Sequence, residues 1–222
     1  NEHTENYQCG QGREEKFKKL LHGWMGLFLA SGPCGNSDGL GVFFVILEAK
    51  IAYPVMLSTW FYMNGIYLIT GGNMGNRQAV LEECARQIGV LIGPVRRASG
   101  LYETAAWGKT DQAAFLNQVL YCETNLGAQE VLEQCLGIER QMGRVREVKW
   151  SARIIDIDIL FYGDEIIRSH HLQIPHPHIP QRRFVLEPLC EIAPDLVHPV
   201  LKRRMRDLLA ECPDQLAVRR LP

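Results

Sequence analysis

The sequence predicts an α+β sandwich in which a central, mainly antiparallel sheet is flanked by helices. Strand-like apolar runs alternate with amphipathic helical patterns, and no long parallel βαβ series appears. The 222 residues are 46% hydrophobic and 22% charged, with a net charge of -1. This composition is typical of a globular chain that buries a core, and it excludes disordered, collagen-like and strongly cationic proteins.

The first 62 residues show no clear helix or strand period before an apolar stretch at 40–63. Glu48 and Pro54 interrupt that stretch, so it is a poor transmembrane helix. We expect residues 1–62 to be a poorly structured extension or translated upstream sequence. Residues 63–215 are expected to form the folded domain.

The cellular compartment is predicted from the cysteines and from a basic-then-apolar segment at 16–29. That segment has the order of a signal peptide, but it is displaced from the terminus and broken by His22 and Gly23. The seven cysteines are odd in number and scattered, without a CxxC pair. We therefore favour a cytoplasmic protein with reduced thiols over a secreted one.

The domain is expected to start with a strand at 65–70, which runs into a glycine-rich turn at 71–75. An amphipathic helix should follow and close at Gly89 or a few residues later. Its apolar face is marked by Leu81, Cys84, Ala85 and Ile88.

Two strand candidates come next, at 95–102 and 115–123, separated by a polar loop at 103–114. The loop is long enough to be functional. A second helix is indicated by apolar residues on one face, namely Ala128, Val131, Leu132, Cys135 and Ile138.

A third strand is predicted at 154–162, with a tight hairpin turn at Gly163 leading into 165–167. Beyond it we expect one more helix at 205–210 and a frayed tail after Pro213.

Two acids stand out on the third strand. Asp156 and Asp158 alternate with isoleucines, so their side chains share one face while the isoleucines point into the opposite layer. Two carboxylates about 7 Å apart on a strand repel each other unless cations meet them. Mg²⁺ prefers oxygen ligands and commonly takes one or two carboxylates plus substrate phosphates. For a bare Asp-x-Asp, a solvated face paired with arginines is the favoured alternative.

Arginines and histidines around these acids point to a polyphosphate ligand. The guanidinium fork binds phosphate oxygens bidentately. A His-x-His pair with zinc is a weaker alternative, because no third soft ligand is evident. The residues concerned are Arg144, Arg146, Arg153, Arg182 and Arg183, with His176 and His178 between prolines.

Several motifs in this order resemble the 6-hydroxymethyl-7,8-dihydropterin pyrophosphokinase family of folate biosynthesis, over about residues 63–212. They are Gly71-Gly-Asn-Met-Gly75, Phe115-Leu-Asn117, Ile138-Glu139, Gly143-Arg-Val-Arg146, Trp150-Ser-Ala-Arg153, Asp156-Ile-Asp158, Pro175-His176, Arg182-Arg-Phe184 and Glu191-Ile-Ala-Pro-Asp195.

The resemblance implies a ferredoxin-like fold, two Mg²⁺ ions, and transfer of pyrophosphate from ATP to the pterin hydroxymethyl group with release of AMP. It implies that Asp156 and Asp158 bridge both metals. ATP or its phosphates would be held by Glu139, Arg144, Arg146, Trp150, Arg153, His176 and Arg182, with Arg144, Arg146 and Arg153 acting in catalysis. The pterin pocket would be formed by Thr104, Phe115, Asn117 and Phe184, with the two rings sandwiching the bicycle.

The residues themselves support the pterin pocket, since Asn117 offers both a donor and an acceptor and shares a strand face with Phe115. Without the motif, ordinary core would be the favoured reading of both phenylalanines.

Four features depart from the family pattern. They are Ala105-Ala106-Trp107 in the loop, Ser151-Ala152, Leu136, and a short interval between Arg146 and Trp150. They concern loop closure and the adenine contact, and they remove no charged participant.

Two other classes compete with this interpretation. An RNA-binding sheet would need a basic, aromatic strand, and a metal-dependent phosphohydrolase would leave the pterin-facing residues without a purpose. We therefore expect small-molecule partners and neither nucleic acid nor membrane. The oligomeric state stays open, with a monomer among the alternatives.

Overall fold

The computed structural model describes residues 63–105, 112–144 and 152–222. Its strands are β1 (Asn64–Gly72), β2 (Val95–Ala98), β3 (Tyr102–Thr104), β4 (Phe115–Thr124), β5 (Asp156–Tyr162), β6 (Ile167–Arg168), β7 (Gln173–Ile174) and β8 (Val218–Arg220). Its helices are α1 (Arg77–Leu91), α2 (Ala128–Gln141), α3 (Arg183–Ile192) and α4 (Met205–Ala210), with a short 3₁₀ turn at Ile179–Gln181.

Six strands form one antiparallel sheet. Its order is β5-β1-β4-β3-β8, and β2 also pairs with β4. The central strand β1 lies between β4 and β5, so that Ile66 pairs with Cys122 on one side and with Tyr162 on the other. The long apolar run of β1 is buried on both faces, as expected for a strand in the middle of a covered sheet.

Helices cover both faces of this sheet. α1 and α2 pack on the face formed by alternate residues such as Ile66 and Leu68 of β1 and Ile157 of β5. α3 and α4 pack on the opposite face, against Tyr67 and Ile69. This arrangement confirms the α+β sandwich and both early helices, and α1 begins where the Asn76 side chain accepts a hydrogen bond from the Ala79 N–H at 3.2 Å.

The predicted strand at 95–102 is wrong as a single element, because it is broken into β2 and β3. At the break, Ser99 turns its hydroxyl to the sheet and accepts the Val119 N–H at 3.0 Å. The Gly100 N–H leaves the ladder and donates to the Glu191 carboxylate at 2.9 Å. These side-chain bonds replace ladder bonds, so two short strands pair with β4 where one was expected.

The hairpin predicted after β5 is also wrong in its pairing. Gly163 does make the turn, with φ of 51°, and the Glu165 N–H donates to the Tyr162 carbonyl. However, β6 pairs with β7 in a separate two-stranded sheet and not with β5. The other edge of β5 is contacted by the connection that contains β7.

The C-terminal tail does not fray as expected. β8 pairs with β3, aligning Val218 with Thr104, and thereby extends the main sheet by one strand. Helix α3, which the sequence patterns did not predict, contains Pro188, a residue that normally argues against a helix interior. Its buried Val185 and Leu189 supply much of the second apolar layer.

None of the helices within the described ranges is both long and apolar enough to cross a bilayer.

Candidate active site

The ends of the three adjacent strands β5, β1 and β4 bring the predicted metal and pterin residues together. Gly71 of β1 pairs with Asn117 of β4 on one side and with Asp156 of β5 on the other. A Cβ on Gly71 would lie 2.4 Å from Asn117 Oδ1, so glycine leaves room for that side chain. The predicted metal residues on β5 and the predicted pterin residues on β4 are therefore separated by one strand, with about 10 Å between the two backbones.

Asp156 lies in a cluster of opposite charges. Arg144, which follows α2, donates to Asp156 Oδ1, and Arg153, just before β5, donates to Oδ2. Arg144 also pairs with Glu139, whose side chain is 2% exposed. Glu139 Oε1 accepts the Ile157 N–H at 2.9 Å as well, which ties the end of α2 to β5.

Asp158 is half-buried beside the Asp156 carboxylate. Burial and the neighbouring Asp156 carboxylate raise the pKa of Asp158 to about 6, and Arg182 only partly opposes this rise. The isoleucines between and beside the acids are buried in the α1/α2 layer, so the two carboxylates share the other face. Two carboxylates on one strand face supply the oxygen donors that a hard divalent cation prefers.

Such a cation would draw few ligands from the protein. Across residues 63–105, 112–144 and 152–222, no three His, Cys, Asp or Glu side chains converge as a metal cluster. A Mg²⁺ held by Asp156 and Asp158 would therefore complete its coordination with water and phosphate oxygens, which is the usual pattern for this ion.

The predicted pterin residues meet at β3 and β4. The Asn117 side chain is 4% exposed and donates to Thr104 Oγ1 at 3.0 Å. Thr104 pairs with Phe115 across the ladder, and Phe115 shares a sheet face with Asn117. Phe184 lies at the start of α3, which packs on that same face.

Each of the two phenylalanines is accompanied by an arginine. The guanidinium of Arg153 lies 5.7 Å from the centre of the Phe115 ring, and that of Arg182 lies 5.7 Å from the Phe184 ring. These distances allow cation–π attraction. The predicted phosphate-binding and pterin-binding residues are thus in direct contact.

His176 is hydrogen-bonded to β5, the strand that carries the two aspartates. Its backbone N–H donates to the Leu160 carbonyl of β5, and its Nδ1 accepts the His178 N–H at 3.2 Å. Burial, followed by nearby Arg182, lowers the pKa of His176 to about 4. The ring is therefore neutral at pH 7 and carries its proton on Nε2, as a hydrogen-bond donor.

Asn73 is a site residue to which the sequence patterns assigned no role. Its side chain, 4% exposed, accepts the Arg153 N–H at 2.8 Å and donates to the Ala113 carbonyl at 3.2 Å. Its backbone N–H donates to the Arg153 carbonyl at 3.0 Å. Asn73 thus joins the segment before β5 to the segment before β4, and its place in the Gly71–Gly75 motif was the available signal.

Besides residues 1–62, five named positions lie outside the described residues: Arg146 and Trp150 of the predicted ATP site, Ser151 next to them, and Ala106 and Trp107 of the loop before β4. The short interval from Arg146 to Trp150 lies there as well.

Comparison with known proteins identifies one family. The model of the 7,8-dihydro-6-hydroxymethylpterin-pyrophosphokinase (HPPK) family matches residues 67–194. A 2-amino-4-hydroxy-6-hydroxymethyldihydropteridine pyrophosphokinase of Aquifex aeolicus is 37% identical over 149 residues, covering 67% of this chain and 92% of the relative. The enzyme of the same name from Methylorubrum extorquens is 43% identical over 136 residues, covering 61% and 86%.

Solved structures agree on the fold. A Plasmodium falciparum HPPK-DHPS triple mutant aligns with a TM-score of 0.57 and 20% identity, over 71% of this chain and 46% of that chain. An HPPK-DHPS in complex with substrates aligns with a TM-score of 0.54 and 15% identity, over 67% and 43%. The chain spans less than half of these solved chains, and at such identities the likeness concerns the fold alone. Because the family model matches more than half of its residues, the chain belongs to the 7,8-dihydro-6-hydroxymethylpterin-pyrophosphokinase family.

Proposed function

We propose that the protein transfers pyrophosphate from ATP to 6-hydroxymethyl-7,8-dihydropterin, giving the pterin diphosphate and AMP, as a step of folate biosynthesis. Family membership carries the identity of the reaction, and relatives bearing this enzyme name align over most of their length. The observation that supports it in this chain is the register at Gly71, which joins a carboxylate pair to an amide-and-aromatic pocket.

On the phosphate side, Asp156 and Asp158 would hold two Mg²⁺ ions, and Arg144, Arg146, Arg153 and Arg182 bind ATP. Mg²⁺ held there would supply positive charge to the phosphates of ATP. The arginines hold the chain of phosphates in line, with Trp150, His176 and Glu139 completing the ATP site. Neutral His176 contributes an N–H donor. Because alignment and charge neutralisation carry most of the catalysis of phosphoryl transfer, no residue needs to be a strong base.

On the pterin side, Asn117 and Thr104 read the polar edge of the bicycle, and Phe115 and Phe184 stack on its faces. The Asn117 to Thr104 hydrogen bond holds the amide in one orientation before the substrate arrives. The arginine beside each ring keeps the hydroxymethyl group of a stacked pterin close to the phosphates.

We assign this activity to a folded unit that begins near Met63, in a chain that acts on small molecules in the cytoplasm. Within the part of the chain that the structure describes, the first strand begins at Asn64, and the family match begins at residue 67. The five cysteines in the described ranges are unpaired, which suits a reducing compartment.

One assay tests the reaction. The protein is incubated with Mg²⁺-ATP and the dihydropterin, and nucleotides are separated by chromatography. We expect AMP and the pterin diphosphate in equal amounts. ADP or free phosphate without AMP would contradict a pyrophosphokinase and favour a phosphohydrolase.

The metal assignment has its own test. Asp156→Ala and Asp158→Ala should each lower turnover by roughly three orders of magnitude or more, since each removes a charge that positions the metal. Arg153→Ala should cost less, about 10- to 100-fold, on the scale of a charged hydrogen bond. Near-normal turnover in either aspartate variant, with an unchanged circular dichroism spectrum, would show that the metal assignment is wrong.

A further inference from the structure

Both carboxylate oxygens of Asp156 already have cationic partners. Arg144 donates to one oxygen and Arg153 to the other, and both arginine side chains are largely buried, at 14% and 24% exposure. A divalent cation that binds the same carboxylate would lie within a few ångströms of two guanidinium charges. Like charges at that range repel each other, so the cation competes with the two guanidinium groups for the partly buried Asp156 carboxylate.

Arg144 is anchored independently of Asp156. Glu139, almost fully buried, accepts from the Arg144 guanidinium and, at 2.9 Å, from the Ile157 N–H. The Arg144 backbone N–H donates to the Glu139 carbonyl at 2.9 Å. Glu139 therefore fixes Arg144 relative to β5, and it still offers Arg144 a counter-ion when Asp156 binds something else.

We propose that Arg144 and Arg153 are the counter-ions of Asp156 in the metal-free protein, that Glu139 holds Arg144 in this place, and that a divalent cation binds tightly only together with a polyphosphate. The inference rests on the proposed function, in which Asp156 is a metal ligand. A triphosphate takes over the guanidinium groups, and the cation takes over the carboxylate, so each ligand removes the obstacle to the other. The coupling is reciprocal: nucleotide strengthens metal binding by the same factor by which metal strengthens nucleotide binding.

The experiment measures binding of Mn²⁺ alone to the full chain, from the electron paramagnetic resonance signal of free Mn²⁺, without nucleotide. Wild type should bind weakly. Arg144→Ala and Arg153→Ala should each bind about tenfold more tightly, because the competing cation is gone. Arg153→Lys, which keeps the charge but not the fork, should lie between wild type and Arg153→Ala.

Adding a non-hydrolysable ATP analogue should tighten Mn²⁺ binding by about tenfold or more in wild type, and by clearly less in Arg153→Ala. The matched control is Arg96→Ala, which removes the same charge from an ion pair with Glu123 at 2.8 Å on the sheet surface. It should leave Mn²⁺ affinity at the wild-type value.

The role of Glu139 is tested by a double-mutant cycle. If Glu139 acts through Arg144, then Glu139→Gln should change Mn²⁺ affinity by at least about threefold more in the wild-type background than in Arg144→Ala. Equal effects in both backgrounds would reduce Glu139 to a structural residue and would remove that part of the proposal.

Asp156→Asn separates failure of this inference from failure of the proposed function. If Asp156→Asn loses Mn²⁺ binding but both arginine variants bind no more tightly than wild type, the counter-ion proposal is overturned and the metal assignment stands. If Asp156→Asn binds Mn²⁺ like wild type, Asp156 is no ligand, and both proposals fail.

Discussion

At position 71 the site depends on the absence of a side chain. The position lies between Asn117 and Asp156, and a methyl group there would come within 2.4 Å of the Asn117 amide oxygen. Asn117 is buried and hydrogen-bonded to Thr104, so it can move only by giving up that bond.

Gly71→Ala should therefore raise the KM for the dihydropterin by about tenfold, the scale of one lost hydrogen bond, while the KM for ATP stays within about twofold. Steady-state kinetics with each substrate varied in turn would show this. Gly89→Ala is the control, because the nearest atom to an added Cβ there is 4.0 Å away and alanine favours the helix. An equal rise in both KM values would instead indicate a general disturbance of the site.

A second residue, His198, links stability to pH. Its ring is buried against Phe161, and its Nδ1 accepts the Val200 and Leu201 N–H groups at 3.3 and 3.2 Å. Burial lowers the pKa of His198 below its usual value. The unfolded chain then binds a proton more readily than the folded chain, so folding is weakened as pH falls below about 6.5.

Urea unfolding from pH 8 to pH 5 should show wild type losing stability below pH 6.5 more steeply than His198→Asn, by up to about 1.4 kcal/mol per pH unit. The comparison with the variant matters because burial also lowers the pKa of His176 to about 4, which adds a parallel loss in both proteins. Identical pH slopes would exclude His198 as a contributor.

At the scale of elements, the turn between β1 and α1 connects the two halves of the site. Asn73 bonds the backbone of Arg153 and the Ala113 carbonyl, and Arg77 donates to the Ala114 carbonyl at 2.7 Å. Asn76 of the same turn only caps α1. The turn therefore contains two asparagines with different roles: Asn73 contacts the site segments, and Asn76 caps the helix.

Asn73→Ala should destabilise the fold by about 2 kcal/mol, because it leaves buried polar partners unsatisfied, and should lower kcat roughly 10- to 100-fold through misplacement of Arg153. Asn76→Ala should cost about 1 kcal/mol of stability and leave kcat unchanged. Thermal unfolding together with kcat for both variants tests the difference. A matching loss of kcat in both would mean that stability alone is responsible.

At the scale of the whole molecule, two apolar layers on either side of one sheet account for the folded unit. Among the described residues, one layer contains Ile66 and Leu68 and the other contains Phe161 and Leu189. β8 closes the edge next to β3, beyond the end of the family match.

A chain comprising residues 63–222 should therefore fold and keep kcat within about threefold of the full chain, because it retains every residue of both described apolar layers. Circular dichroism and the AMP assay would test this. Loss of folding in the shortened chain would show that residues 1–62 are needed, and it would overturn the domain assignment.

The local sequence pattern was enough to predict much of this fold. The i, i+3, i+4, i+7 spacing of Leu81, Cys84, Ala85 and Ile88 predicted α1, and alternation around Asp156 placed both aspartates on one sheet face. Such features depend on neighbours in sequence, which a single chain displays directly.

The features that were wrong or missed depend on contacts between distant residues. Ser99 breaks a strand by bonding Val119, and β8 becomes a strand only because β3 offers a free edge. Helix α3 contains a proline, which lowers its intrinsic helix propensity. Burial of the apolar face of α3 on the sheet outweighs that cost.

By itself, the sequence determined the chemistry available to this protein: two carboxylates on one strand face, a set of arginines, and an amide beside aromatic residues. Only the tertiary structure decided how these groups are connected. The connections are the shared register at Gly71, the hydrogen bond between Asn73 and Arg153, and the pairing of Arg144 and Arg153 with Asp156. The physical reason is that side-chain identity and strand period are local properties. The distance between Asn117 and Asp156 is set by a third strand that hydrogen-bonds to both.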